Sequence, residues 1–353
     1  MAQSGSSQKK ILVAMSGGVD SSVTAASLVQ QGFEVHGVFM RLSQSDVEEQ
    51  FERVQHIARF LDLPVSMVDL SEPFSAKVLN YFSKTYCQGK TPNPCVICNH
   101  EIKFGKLLEF ADKQGIEKLA TGHYVKTVRD AAGIVHLLKG DDPRKDQSYF
   151  LCRLTQAQLQ RVIFPLGELT KPKVYELAGQ LGLQGKHGKE SQDVCFMEGR
   201  NLKDFFTDIP PNSGDFVTIA GEIKKKHDGL HNYTVGQRKG LGIPDATPYY
   251  VVKLDTDQNQ VIIGKEDDLW QDALVVDAMN WLSGSVPDMP QTFDVKIRYR
   301  HQASPAVVEA LASSGYSIRF AEPQRAITPG QFAVLYKNDE LVGGGEIIGD
   351  RCD

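Results

Sequence analysis

The sequence predicts a parallel α/β domain followed by two smaller β-rich modules. Three observations carry this. Apolar strand-like runs alternate with helical patterns up to about Leu202. A Pro/Gly segment, Asp208-Ile209-Pro210-Pro211-Asn212-Ser213-Gly214, then interrupts the pattern. Beyond it, short strand candidates follow one another closely, as in barrel-like β modules. The expected units are residues 9–200 (α/β), 208–272 (central, β-rich) and 273–353 (barrel-like), behind a polar tail at 1–8 expected to be disordered.

Ile11-Leu12-Val13-Ala14 is apolar throughout, the mark of a strand buried on both faces. Ser16-Gly17-Gly18 then has almost no side-chain bulk, and Asp20-Ser21-Ser22 opens a helix running on through Val29. Phe33–Met40 reads as a second strand and Val65–Asp69 as a third. Between them Asp46–Asp62 reads as a helix with Phe51, Val54, Ile57, Ala58 and Leu61 on one face, Asp46 as its N-cap and Glu49 three residues on. Two prolines in Thr91-Pro92-Asn93-Pro94 exclude helix up to Pro94, and a helix is expected from about Asn99 to Gln114. Leu119–Tyr124 is a short strand running into Gly122-His123, and a helix starts at Thr170 with Pro172 in its first turn.

After the linker, strands are expected at 215–219, 249–254, 260–264, 274–277, 293–298, 306–311, 316–320, 332–336 and 341–348. Lys224-Lys225-Lys226 reads as a solvated hairpin tip. The glycine-rich, basic run His231–Ile243, with Arg298-Tyr299-Arg300 and Arg325, suits a phosphate backbone.

Hydrophobic residues make up 41% and charged residues 24% of 353, an ordinary soluble composition. No apolar run reaches the roughly 20 residues of a membrane span, and the N-terminus lacks a signal-peptide core, so a cytoplasmic protein without membrane association is expected. A net charge of −5 does not advertise a nucleic-acid partner, although a local basic face suffices for one. The six cysteines do not read as a disulfide framework in a chain this long; metal-binding, catalytic or buried thiols are expected. Cys95 and Cys98 are spaced C-x-x-C, close enough to chelate one metal or form a redox pair, and Cys98 near a helix N-terminus is expected to have a lowered pKa. Cys195 stands alone; taken by itself, such a residue is more often a buried small side chain than a nucleophile.

Strand, glycine turn and helix start make an anion cradle. A Walker loop would need Gly-Lys-Ser/Thr and a dinucleotide turn G-x-G-x-x-G; neither is present. Ser16-Gly17-Gly18-Val19-Asp20-Ser21 resembles the PP-loop, S-G-G-x-D-S, of the adenine nucleotide α-hydrolase-like enzymes. In order along the chain follow Thr91-Pro92-Asn93-Pro94 to Cys98-Asn99, Gly122-His123-Tyr124, Lys145-Asp146-Gln147-Ser148-Tyr149-Phe150-Leu151, Ser191-Gln192-Asp193-Val194-Cys195-Phe196, Tyr233–Gly240 and Arg325–Gln331. The whole set resembles the tRNA-specific 2-thiouridylases (the MnmA/TrmU family).

The resemblance implies that the wobble uridine of glutamate, glutamine and lysine tRNAs is adenylated by ATP at its C2 oxygen and that sulfur then displaces AMP. It implies ATP contacts at Ala14, Met15, Ser16, Gly17, Gly18, Val19, Asp20, Ser21, Met40 and Gly122, with Asp20 helping to hold Mg²⁺. Asn93, Pro94 and Cys95 would face the target base. Lys145, Asp146, Gln147, Tyr299, Arg300 and Gln331 would touch tRNA, with His123 beside a uridine flipped from its stack. Family members often carry Asp where this chain has Cys95. Two sulfur carriers therefore stay open. Cys195 receives a persulfide from a relay protein or cysteine desulfurase and Cys98 helps release it, leaving a Cys98–Cys195 disulfide. Alternatively Cys95, Cys98 and Cys195 hold a [4Fe–4S] cluster with one open iron. Structural zinc, with His100 or His123 as fourth ligand, is a third reading. Two other functions are weighed: a PP-loop synthetase acting on a small molecule, and a non-catalytic, metal-stabilised RNA-binding protein.

Overall fold

The computed structural model describes residues 9–185, 194–197, 202–206, 212–312 and 314–349. The expected tail at 1–8, most of the linker, the Ser191-Gln192-Asp193 part of one motif and Cys352 lie outside them. In chain order the first strands are β1 (Lys10–Ala14), β2 (Glu34–Arg41), β3 (Val65–Asp69), β4 (Lys118–Ala120), β5 (Val125–Arg129), β6 (Val135–Lys139) and β7 (Val162–Ile163). Five of them form a sheet ordered β3-β2-β1-β4-β7, parallel at every pairing. Ile11, Leu12 and Val13 are fully buried in its centre, as an all-apolar strand requires.

The chain steps from β1 outward to β3 on one side and later to β4 and β7 on the other. The crevice between β1 and β4, at their C-terminal ends, is therefore the switch point where such sheets bind ligands. Helix α1 (Val19–Gln30) leaves from it and α2 (Val47–Phe60) follows β2. Asp46 stands at the N-cap of α2, but its carboxylate accepts from the Gln50 amide (2.6 Å), and the expected capping box with Glu49 does not form.

Helix α3 (Pro94–Cys98) starts five residues before the expected Asn99. Pro94 supplies the preset φ that a first helical turn favours, and the Asn93 carboxamide oxygen accepts from Val96 N (3.4 Å). The same rod continues through Asn99–Lys106 with wider i→i+5 turns and then Leu107–Lys113. Helix α4 (Lys171–Gln180) has Thr170 at its N-cap and Pro172 in its first turn.

The β-rich half begins with β8 (Gly214–Thr218), β9 (Ile223–His227), β10 (Tyr250–Asp255) and β11 (Gln260–Gly264), a sheet ordered β10-β11-β8-β9. Lys224–Lys226 lie in edge strand β9, not at a hairpin tip; charged side chains on an edge discourage further pairing. The remaining strands are β12 (Trp270–Trp281), β13 (Gln291–Lys296), β14 (Ser304–Ala310), β15 (Tyr316–Arg325), β16 (Phe332–Lys337) and β17 (Glu340–Gly349). They run in the order β12-β15-β14-β13-β16-β17, and β12 pairs with β17 to close a barrel.

The β5–β6 hairpin belongs by sequence to the first unit, yet it extends the barrel sheet, with Leu341 opposite Leu137. Tyr149 and Tyr336, both fully buried, share one core with Leu137, Phe332 and the helix residues Phe104 and Leu107. At roughly 1.5–3 kcal/mol for each fully buried large apolar side chain, this shared core fixes the barrel against the α/β sheet. Among the described residues no helix is long and apolar enough to cross a membrane.

Candidate active site

A cavity of about 850 Å³ opens at the β1/β4 switch point. Ala14 to Ser21 line one end of it. Gly17 has φ +77°, a conformation that favours glycine, and a Cβ there would sit 3.4 Å from the Arg53 Cβ. The loop is braced by its own hydroxyls. Ser16 N donates to Ser21 Oγ (3.2 Å), and Ser21 Oγ (3.0 Å) and Ser22 Oγ (2.8 Å) donate to the Gly18 carbonyl. This leaves the N-terminus of α1, with its free N–H groups, facing the cavity. Gly122 lies tightly against α1: a Cβ there would lie 3.1 Å from Asp20 Cβ and 3.2 Å from Ser21 N.

Asp20 is tied from behind. Lys171 Nζ reaches both of its carboxylate oxygens (2.8 Å each) and Tyr124 Oη donates to one (2.6 Å). Among the described residues no group of three His, Cys, Asp or Glu side chains is arranged to hold a metal ion, around Asp20 or elsewhere. The expected zinc site on Cys95, Cys98 and a histidine therefore does not form among these residues.

Away from the loop the same cavity is lined by Pro94 and by Cys95, Cys98 and Cys195, which lie close enough to act on one another, and Met40, His123 and Gln147 line it too. The expected lowering of the Cys98 pKa is reversed. Burial pushes its thiol up to about 12 and that of Cys95 up to about 11. Loss of water around the thiolate outweighs the helix N-terminus. Cys195 is exposed, on a turn at 194–197. Its neighbour Phe196 anchors that turn: the ring packs on Phe82 (centroids 5.0 Å), Phe205 (5.7 Å) and Phe74 (5.9 Å). His123 is buried between Phe104 and Phe164 with Nδ1 2.7 Å from Thr121 Oγ1, and burial holds its pKa well below the usual imidazole value. It is neutral at pH 7.

Sequence reasoning missed Lys103, the cation at this end. It lines the cavity, and its charge opposes the burial effect on both Cys95 and Cys98. In an ordinary helix a residue five after Cys98 points roughly 140° away. The i→i+5 turns of 99–106 bring the two round to one side. Lys103→Met is expected to raise the thiol pKa values further. Below those values the thiolate fraction then falls, so alkylation of these two thiols at pH 7.5 slows about tenfold, one pKa unit's worth, and the rising limb of its pH–rate profile moves to higher pH. Lys103→Arg should keep the profile in place; an unmoved profile in Lys103→Met would remove Lys103 from this role.

Six of the expected site residues lie outside the cavity lining. Asn93 caps α3, as described. The buried Asp146 carboxylate accepts from Gly140 N, Ser148 N and Ser148 Oγ, so its oxygens are engaged within the protein. Lys145 is half-buried in the same turn. Tyr299 packs on Phe150 with the rings tilted (centroids 4.4 Å, 36° between planes), while Arg300 is exposed. The Gln331 amide donates to the carbonyls of Thr91 (3.0 Å) and Pro92 (3.1 Å), and Thr91 N donates to Pro329 O (2.8 Å). A barrel loop thereby grips the segment leading to Cys95. Two of the expected phosphate-binding cations are also spent internally. Arg298 donates to the carbonyls of Val235 and Ala326 and to Thr328 Oγ1, and Arg325 pairs with Glu266 (2.6 Å). Arg238 and Lys239 remain exposed.

Comparison with known proteins agrees with this layout. The family model described as "tRNA methyl transferase HUP domain" matches residues 9–199, the "tRNA methyl transferase PRC-barrel domain" 203–265 and the "Aminomethyltransferase beta-barrel domain" 271–347. Among relatives, the tRNA-specific 2-thiouridylase MnmA of Desulfotalea psychrophila is 46% identical over 95% of this chain and 98% of its own length. That of Geobacter metallireducens is 42% identical over 96% and 97%, and that of Magnetococcus marinus 44% over 96% and 99%. With identity at this level from end to end, the chain belongs to the MnmA family of tRNA-specific 2-thiouridylases.

Proposed function

We propose that the protein is an ATP-dependent tRNA-uridine 2-sulfurtransferase acting on the wobble uridine, position 34, of glutamate, glutamine and lysine tRNAs. The observation that carries this reading is that one cavity joins an anion-binding loop, Ser16–Ser21, to the thiols Cys98 and Cys195. A uridine C2 oxygen leaves poorly until it carries a phosphate. ATP supplies that phosphate: the C2 oxygen attacks the α-phosphorus, and pyrophosphate departs toward the loop N–H groups and the α1 N-terminus, which stabilise its charge. Mg²⁺ would come with the nucleotide phosphates.

The thiol end then works on the activated base. The exposed Cys195 suits loading as a persulfide by a sulfur-relay protein or cysteine desulfurase. Its outer sulfur attacks C2, and AMP leaves with the former C2 oxygen. The Cys98 thiolate attacks Cys195 Sγ, breaking the S–S bond, so the outer sulfur stays on C2. A Cys98–Cys195 disulfide remains, and an external dithiol reduces it. Neutral His123 offers a hydrogen bond without adding a charge.

The test is nucleoside mass spectrometry after incubating the protein with ATP, unmodified glutamate tRNA and a persulfide-generating desulfurase system. One 2-thiouridine at position 34 per AMP and pyrophosphate is expected. Pyrophosphate exchange that proceeds without tRNA would favour a small-molecule synthetase instead, and ADP as the nucleotide product would refute adenylation. Stoichiometric iron in anaerobically purified protein, with thiolation lost on its removal, would replace the persulfide by the cluster as sulfur carrier.

A further inference from the structure

The cavity is charged asymmetrically. Lys103 sits at its cysteine end, where it acts on the thiols. The nucleotide end has a glycine loop without the lysine of a Walker motif, yet a pyrophosphate leaving group carries at least three negative charges. Among the described lining residues one other permanent cation exists, Arg53 of α2.

Helix α2 lies directly against the loop: a Cβ on Gly17 would sit 3.4 Å from Arg53 Cβ and 3.6 Å from the Gln50 carbonyl oxygen. The guanidinium is held from the solvent side by two carboxylates. Its Nη1 meets Glu49 Oε1 at 2.5 Å and its Nη2 meets Asp46 Oδ2 at 3.7 Å. Glu49 is 71% exposed, so this is a weakly held surface contact. Arg53 Nε, by contrast, is buried and has no hydrogen-bond partner. A buried N–H donor without a partner on a cavity-lining residue marks a bond still to be made.

We infer that Arg53 binds the β- and γ-phosphates of the bound ATP and the pyrophosphate that leaves, exchanging its contacts to Glu49 and Asp46 for phosphate oxygens. This rests on the adenylation reading above. A planar fork of donors suits two phosphate oxygens at once, which a lysine at the same place would not. The carboxylates then act as a latch that keeps the site from retaining pyrophosphate after release. Glu49 competes with the product for the same donors.

Calorimetric binding of inorganic pyrophosphate (with magnesium) and of AMP to the full chain tests this. Arg53→Met is expected to weaken pyrophosphate binding roughly 10- to 100-fold, the loss of charge-assisted hydrogen bonds, while AMP, which lacks the β and γ groups, changes less than about twofold. Arg53→Lys should fall between, and Glu49→Gln should tighten pyrophosphate by freeing the guanidinium. Should Arg53→Met not fold, Arg53→Lys and Glu49→Gln carry the test. Unchanged pyrophosphate affinity in the Arg53 variants, or equal loss of AMP and pyrophosphate, overturns the assignment of Arg53 alone. Wild-type protein that binds neither AMP nor pyrophosphate overturns the adenylation reading and this inference with it.

Discussion

Cys98→Ser and Cys195→Ser are each expected to lower thiolation at least about 1000-fold while tRNA-dependent ATP–pyrophosphate exchange continues, since removal of a nucleophile costs factors of that size or more. In the proposed mechanism the two ends of the cavity do separate chemistry, so losing sulfur transfer should leave activation running. The two variants should also differ from each other. Cys98→Ser still accepts a persulfide on the exposed Cys195, and intact-mass measurement should find the added sulfur there; Cys195→Ser should not. Cys87→Ser, at an exposed site away from the cavity lining, should be neutral. Cys152 is fully buried against Gly344, whose added Cβ would lie 2.7 Å from Cys152 Cβ, so replacing it tests packing and not chemistry. Cys95→Ser decides between carriers: near-normal thiolation fits the persulfide route, and complete loss argues that the third thiol is required. Sulfur transfer that survives in Cys195→Ser would refute the persulfide assignment.

What the sequence disclosed follows from how local each signal is. The β1 run, the glycine turn and the start of α1 are encoded within a dozen consecutive residues, and they fall where the pattern puts them. The N-terminus of α3 was legible too, since Asn93-Pro94 is a cap followed by a proline at the first helical position. Treating both prolines as breakers hid it. Other features depend on distant residues. Nothing in Val125–Lys139 announces that its hairpin pairs with Leu341 rather than with its own domain. The positive charge of Arg298 looks available along the chain, yet the fold turns it onto carbonyls of Val235 and Ala326. The thiol of Cys98 shows the same limit. Its helix position is local and argues for a lower pKa; its burial is tertiary and raises it. Lys103 is hidden for a geometric reason: a helix of 3.6 residues per turn puts it away from Cys98, and this stretch hydrogen-bonds i→i+5.

The pair behind the loop makes the last large effect. Lys171 is 9% exposed at its side chain and Asp20 25%, and their Nζ–O contacts are 2.8 Å. Removing one partner strands a charge in a poorly solvated place, so Lys171→Met is expected to destabilise the α/β domain by about 3 kcal/mol, the low end for a buried pair because Asp20 keeps some water. Asp20→Asn should cost a similar amount, although Tyr124 Oη can still donate to the remaining carboxamide oxygen. The double variant Asp20→Asn/Lys171→Met should recover much of the loss, with a coupling energy of roughly 2 kcal/mol, since neither charge is then left alone. Both tryptophans, Trp270 and Trp281, lie in β12, so their fluorescence reports on the barrel. Hydrogen exchange in α1 and α4 reads the right domain. Strictly additive single losses would show that the two side chains do not depend on each other. Activity should follow the same order for a further reason: Asp20 sits in the first turn of α1, and releasing it loosens the N–H groups to which the proposed mechanism sends the departing pyrophosphate.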